Sequence, residues 1–175
     1  MITEFYPWAH AKNVFSINYE KLFEKGYRGL IFDIDNTLVH HGDPANEKIE
    51  KFFRDIHKLG FKTILLSNND EERIEDFNKN IKTKYICDAD KPNSYNYYKA
   101  VDMLEVDIKE SVVIGDQLFT DIWGANRSGM ASIFVDFIKL PEEIWIGKRR
   151  YVEKIIMLLY NIAGYKYHKL DDVVM

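Results

Sequence analysis

Gly29-Leu30-Ile31-Phe32-Asp33-Ile34-Asp35-Asn36-Thr37-Leu38-Val39 places an apolar run directly before two carboxylates and a polar turn. A short continuous apolar run suits a strand buried in a parallel sheet. In open α/β sheets, ligands bind in the crevice beyond the carboxyl ends of the strands. Asp33 and Asp35 therefore fall at a strand tip. Two unpaired carboxylates there are costly unless a cation or hydrogen bonds offset them, which makes a divalent metal the first candidate. Taken alone, the Asp-x-Asp spacing fits an ordinary strand end with two solvated acids equally well.

Outward from this stretch, strand and helix patterns alternate. Upstream, Met1 to Phe15 is aromatic-rich around Pro7 and has no clean period, as expected of an extended arm laid on the core or of a partner-binding patch; the arm is preferred. Asn18 can cap a short helix running to Lys25, with Gly26 just past its end. Downstream, His40-His41-Gly42-Asp43-Pro44 is a turn. The paired histidines read as a solvated loop more readily than as metal ligands, because the nearby acids already suit a hard, oxygen-preferring ion. Ile49, Phe52, Phe53, Ile56 and Leu59 then share one helical face, ended by Gly60.

The second strand pattern is Lys62 to Leu66, followed by Ser67-Asn68-Asn69-Asp70, whose side chains can cap a helix with Ile74, Phe77 and Ile81 inward. Its outward charges read as a solvated face. Tyr85-Ile86-Cys87 is a short third strand, and Ser94 is placed to cap a helix bearing Tyr97, Tyr98, Val101 and Leu104. Ser111 to Ile114 is a fourth strand, followed by a helix through about Asn126, and Ala131 to Val135 a fifth. Such alternation argues for parallel βαβ units.

One domain fits 175 residues, taken as residues 1–175 with an arm and short helix over 1–25 and an amphipathic helix and tail over 147–175. A net charge of -4 gives no electrostatic footprint for nucleic acid. The single cysteine, Cys87, excludes an internal disulfide and a Cys-based zinc cluster. It is expected to be a packed strand residue. With no signal segment and no run of about 18 apolar residues, a reducing cytoplasm is the expected compartment.

In a parallel sheet the loops after the strands open on one edge. Those loops hold Asp33 and Asp35, then Ser67 and Asn68, then Lys91, then Asp116 and Asp121. Phosphoryl transfer needs a nucleophile, a metal to neutralise the phosphate, donors for its equatorial oxygens and an acid for the leaving oxygen. The ordered set supplies each.

Asp33-Ile34-Asp35-Asn36-Thr37-Leu38-Val39, Ser67-Asn68-Asn69, Lys91-Pro92 and Gly115-Asp116-Gln117-Leu118-Phe119-Thr120-Asp121 resemble, in order and spacing, the four motifs of the haloacid-dehalogenase-like (HAD) phosphatases. The resemblance covers about residues 14 to 135. The Asp-Asn-Thr-Leu form, the approach through Tyr27-Arg28-Gly29 and the Gly-Asp-Gln-x-x-Thr-Asp motif are similar to the YqeG-like, IIIA-type branch, which includes phosphatidylglycerophosphate phosphatases. It implies a three-layer Rossmann-like α/β core with a mostly parallel central sheet. It implies Asp33 as the nucleophile that forms an aspartyl-phosphate and Asp35 as general acid and then base. Ser67 and Lys91 would hold the phosphate with Asn68 nearby. Mg2+ would be held by Asp33, Asp116 and the main-chain carbonyl of Asp35, with Asp121 supporting the metal shell. The gaps Val39 to Lys62 and Asn69 to Tyr85 leave no room for a large cap domain, so the site is expected to be open to solvent.

A capless phosphatase of this branch implies a phosphorylated substrate, phosphatidylglycerophosphate above a phosphoprotein or a soluble phosphate ester. The last helix, about Lys148 to Ile162, opens with Lys148-Arg149-Arg150 and has an apolar surface wider than one stripe. It fits a helix packed on the sheet with one side left over. It also fits peripheral contact with the inner face of a membrane, since basic residues beside a broad apolar face suit anionic headgroups. From another class, a receiver-type signalling domain also joins acids, a hydroxyl and a lysine on a parallel sheet. It has no acid two residues beyond its phosphorylated Asp, whereas this chain has Asp35. A catalytically silent binding module is disfavoured by the complete motif set.

Overall fold

The run Gly29–Phe32 forms strand β2, buried at all four positions, inside a six-stranded parallel sheet. The computed structural model describes residues 1–143, 147–164 and 166–175. The strands are β1 (Ala9–Ala11), β2, β3 (Lys62–Leu66), β4 (Lys84–Ile86), β5 (Ser111–Gly115) and β6 (Ala131–Val135), in the order β1-β6-β5-β2-β3-β4. The helices are α1 (Tyr19–Glu24), α2 (Glu47–Lys58), α3 (Glu71–Asn78), α4 (Ser94–Leu104), α5 (Trp123–Arg127) and α6 (Lys148–Asn161).

The pleat of β2 sorts its side chains between two layers. Leu30 and Phe32 pack with Leu65 and Ile114 against Leu22 of α1, the apolar face of α2, and Ile74 and Phe77 of α3. Ile31 points the other way, with Ile64, Leu66 and Val113, onto Tyr97, Val101 and Leu104 of α4 and Ala125 of α5. Burying Ile49, Phe52, Phe53 and Ile56 of α2 supplies on the order of 6–12 kcal/mol before entropy, as an upper estimate. Asn18, Asn46 and Asp70 accept main-chain N–H bonds at the starts of α1, α2 and α3, as their residue types favour.

The observed fold is the expected Rossmann-like three-layer α/β core, and among the described residues no large cap is inserted. Four local expectations are corrected. The N-terminal arm contributes a sixth strand: Ala9, His10 and Ala11 pair in parallel with Ile133, Phe134 and Val135. The third strand ends at Ile86, because β3 stops at its partner Leu66 and Asp88 turns with φ +44°, so half-buried Cys87 lies outside the ladder. Asn93, not Ser94, caps α4 by accepting the Tyr95 N–H at 3.1 Å. The helix after β5 opens as one π-helical turn, Leu118–Ile122, a form frequent at functional sites.

Candidate active site

From β2 the chain runs outward through β3 to β4, then crosses back to β5 and on to β6. The boundary between β2 and β5 is thus the topological switch point, where the strand order opens a crevice. Asp33 directly follows β2 and Asp116 directly follows β5. Paired registers, Phe32 with Ile114 and Gly29 with Ser111, bring the two acids side by side.

Three buried carboxylates, those of Asp33, Asp116 and Asp121, have oxygens within 4.8 Å of one another. Lys91 Nζ donates to Asp33 Oδ1 at 2.6 Å and to Asp121 Oδ1 at 2.7 Å. Burial alone would lower the lysine pKa, but Asp121 and Asp33 overcome it and keep the amine protonated. Thr37 Oγ1 lies 3.2 Å from Asp33 Oδ2 and 3.0 Å from Asp116 Oδ1, so its one proton ties the first motif to the fourth. The Asp121 carboxylate also accepts the Gln117 N–H at 3.1 Å. It fits against the strand end because Gly115 has no side chain: a Cβ there would stand 2.4 Å from Asp121 Cγ.

Asp116 is fully buried. Burial and the Asp33 charge push its pKa well above the usual carboxylate range, against the pull of Arg150. Asp121 is also raised, by burial first, despite its bond to Lys91. Arg150 of α6 donates to both the carboxylate and the main-chain carbonyl of Asp116. Its guanidinium also meets Glu153 at 3.1 Å and lies over the Phe137 ring. Glu153 in turn accepts the Leu118 N–H at 2.9 Å. Two expectations change here. Arg150 turns into the site rather than joining an outer basic face, because the fully buried Asp116 carboxyl and its main-chain carbonyl need hydrogen-bond donors. The site is therefore not fully open, since α6 covers the Asp116 side.

Asp35 stands apart from this cluster. Its carboxylate accepts Arg73 Nη2 at 2.7 Å, the Gly42 N–H at 3.0 Å and the Asn69 amide. Burial pushes its pKa up, but the bonds from Gly42, Arg73 and Asn69 win and hold it below the ordinary value. Ser67 Oγ accepts the Asn69 main-chain and side-chain N–H groups, which leaves its own proton free to donate. Asn68 Oδ1 accepts the Lys91 N–H at 2.8 Å, so its side chain ties the second motif to the lysine loop. His40 bonds Glu143 at 2.9 Å, and exposed His41 lies 3.6 Å from Asp35.

The donor set fits a hard divalent ion. Three carboxylates face two cations, Lys91 and Arg150, and Mg2+ takes oxygen ligands from one or two carboxylates plus waters and phosphate. Thr37, Asn69, Arg73, Arg150 and Glu153 were not assigned site roles from sequence. Thr37 and Asn69 lie inside the quoted motifs and were within reach of that reasoning. Arg73 looks like one more charge on a solvated helix face, and no local pattern links Arg150 or Glu153 to Asp116.

Residues 88–137 match the HAD-hydrolase-like family. The chain is 36% identical over 162 residues to the probable phosphatase YqeG of Bacillus subtilis (strain 168), covering 92% of this chain and 94% of that one. It is 25% identical over 153 residues to the chloroplastic/mitochondrial phosphatidylglycerophosphate phosphatase 1 of Arabidopsis thaliana, covering 82% of this chain but 44% of that one. An uncharacterized protein from Listeria monocytogenes serotype 4b superposes with a TM-score of 0.54 at 20% identity, over 78% of this chain and all of that one. At that identity the structural likeness speaks to the fold alone.

Proposed function

We propose that this chain, which belongs to the HAD-like hydrolases as a YqeG-type phosphatase, is a Mg2+-dependent phosphomonoester hydrolase that works through an aspartyl-phosphate on Asp33 and acts on phosphatidylglycerophosphate. The observation that supports this most is the placement of Asp33 at the switch point, held by buried Lys91 at 2.6 Å beside two further acids.

A carboxylate oxygen of Asp33 attacks the phosphorus, the bond to the leaving oxygen breaks, and Asp35 gives that oxygen its proton. Water then attacks the phosphorus as Asp35 takes the proton back, and the Asp33–phosphorus bond breaks to release phosphate. Asp35 is ionised at rest; a phosphate dianion arriving beside it favours its protonated form, because like charges raise a carboxyl pKa. Lys91 and the free Ser67 proton hold phosphate oxygens, while Asn68 fixes the Lys91 loop. Mg2+ held by Asp33, Asp116 and the Asp35 carbonyl, with Asp121 in support, would offset the charge gathering on the phosphate.

Two observations support a lipid substrate: the similarity to the Arabidopsis thaliana phosphatase and the outer face of α6. Tyr151, Ile155, Leu158 and Ile162 lie 50–76% exposed at helical spacing, with Lys148, Arg149 and Lys154 nearby. That pairing of apolar stripe and cations complements an anionic phospholipid surface.

The test is hydrolysis of an aryl phosphate and of phosphatidylglycerophosphate. Asp33→Asn is expected to abolish both with the circular dichroism spectrum unchanged, and EDTA to do so reversibly. Full activity of the Asp33→Asn protein overturns the mechanism. Equal rates on the lipid and on soluble esters overturn the lipid assignment alone.

A further inference from the structure

A cavity of about 460 Å³ opens beside the site, lined by Lys91, Phe119, Trp123, Lys148, Arg149 and Val152 among others, with no carboxylate among the described residues of its wall. It joins the lysine loop, the π-helical turn and the first turn of α6. The Lys91 charge is committed to Asp33 and Asp121, and Arg150 is committed to Asp116 and Glu153. Lys148 and Arg149 are exposed and make no ion pair among the described residues. Two free cations therefore face a cavity that begins at the residue holding the nucleophile. Aromatic walls at Phe119 and Trp123 exclude part of the solvent, and a less polar surrounding strengthens attraction between a bound anion and these cations.

We propose that this cavity binds a second anionic group of the substrate, a phosphate or phosphodiester displaced from the scissile phosphate, and that Lys148 and Arg149 select substrates bearing one. The proposal rests on the phosphatase assignment and narrows its substrate class. The second anion can come from a lipid headgroup or from a soluble bisphosphate; the recognition chemistry is the same.

The experiment reads binding, so that it stands apart from turnover. Asp33→Asn protein is titrated by calorimetry with propyl phosphate, with 1,3-propanediol bisphosphate, and with phosphatidylglycerophosphate in neutral detergent micelles. At least one of the two-anion probes is expected to bind about tenfold tighter than propyl phosphate. Lys148→Ala/Arg149→Ala in the same background is expected to lose that preference, and Lys148→Arg/Arg149→Lys to keep it. Preference for both probes marks recognition of the anion itself, and preference for the micellar probe alone marks the lipid as its source. Equal affinity for one-anion and two-anion probes overturns the proposal, as does a preference that survives in the double alanine variant. Aryl phosphate hydrolysis by the unsubstituted chain separately tests the phosphatase assignment, so the two can fail independently.

Discussion

Arg73 and Asp35 show how a carboxylate after one strand is set by a side chain from a helix, α3, that follows another. Arg73 Nη2 also donates to the Asp43 carbonyl at 2.8 Å, so the guanidinium braces the turn after the first motif as well as the acid within it. Its Nε and Nη1 are buried without a hydrogen-bond partner among the described residues. Removing this cation takes away one of the influences that hold the Asp35 pKa down. Arg73→Met is therefore expected to move the limb of the kcat–pH profile that belongs to Asp35 upward by about one pH unit. It is also expected to lower kcat more than it raises KM. A profile superimposable on that of the unsubstituted chain would mean that Asp35 is not the titrating group. Asp33, Asp35, Ser67, Lys91, Asp116 and Asp121 are legible in the sequence because each lies in the polar segment that follows one of the apolar strand runs. Arg73 was not legible, since its partner lies 38 residues away and an arginine on an amphipathic helix has many solvated precedents.

Helix α6 is the element where sequence pattern and structure part most. Periodicity gave its extent to within a residue and its broad apolar surface. It could not say which side packs, because both sides are apolar: Ile156, Met157 and Tyr160 join Tyr6, Leu118, Ile122 and Phe134 in a separate cluster, while the opposite stripe stays exposed. Nor could it show that Arg150, two residues after the cavity's Lys148, would be drawn inward by a buried acid. The guanidinium now supplies positive charge where a divalent ion would supply more, and two cations close to one carboxylate repel. Arg150→Met is therefore expected to tighten Mg2+ binding by about tenfold, a change of about 1.4 kcal/mol, as read by calorimetric titration of metal-stripped protein. In EDTA the same variant leaves Asp116 with less compensation and is expected to melt at lower temperature, with the loss recovered on adding Mg2+. Unchanged affinity together with an unchanged melting temperature would show that Arg150 and the metal do not share Asp116. By contrast, β2, β3, β5 and β6 were legible because both faces of each are covered. Three-residue β1 carries no alternation long enough to announce itself.

At the scale of the whole chain, the two ends close one flank of the core together. Asn18 donates its N–H to Val173 at 2.7 Å, Leu170 to Trp8 and Met175 to Ser16 at 2.9 Å each, and Leu170 and Val173 are buried in the same layer as α2. Removing everything beyond α6's start would strip Leu170 and Val173, and with them Ile156, Met157 and Tyr160, from buried positions at a gross cost of about 7–15 kcal/mol, so truncation cannot isolate a membrane role for the helix. Among the described residues no helix is long and apolar enough to cross a membrane. The outward stripe of α6 can be changed without touching the core: Ile155 and Leu158 are 60% and 63% exposed. Ile155→Ser/Leu158→Ser is expected to cut partitioning onto phosphatidylglycerol vesicles by at least about tenfold, since each buried aliphatic side chain is worth about 1.5–3 kcal/mol, while leaving the melting temperature and aryl phosphate hydrolysis unchanged. Raising the salt should weaken the binding of the unsubstituted chain as screening shortens the reach of its lysines and arginines. Flotation assays decide it: equal binding to phosphatidylcholine and phosphatidylglycerol vesicles, or full binding by the serine variant, removes the membrane from the account and leaves a phosphatase for soluble esters.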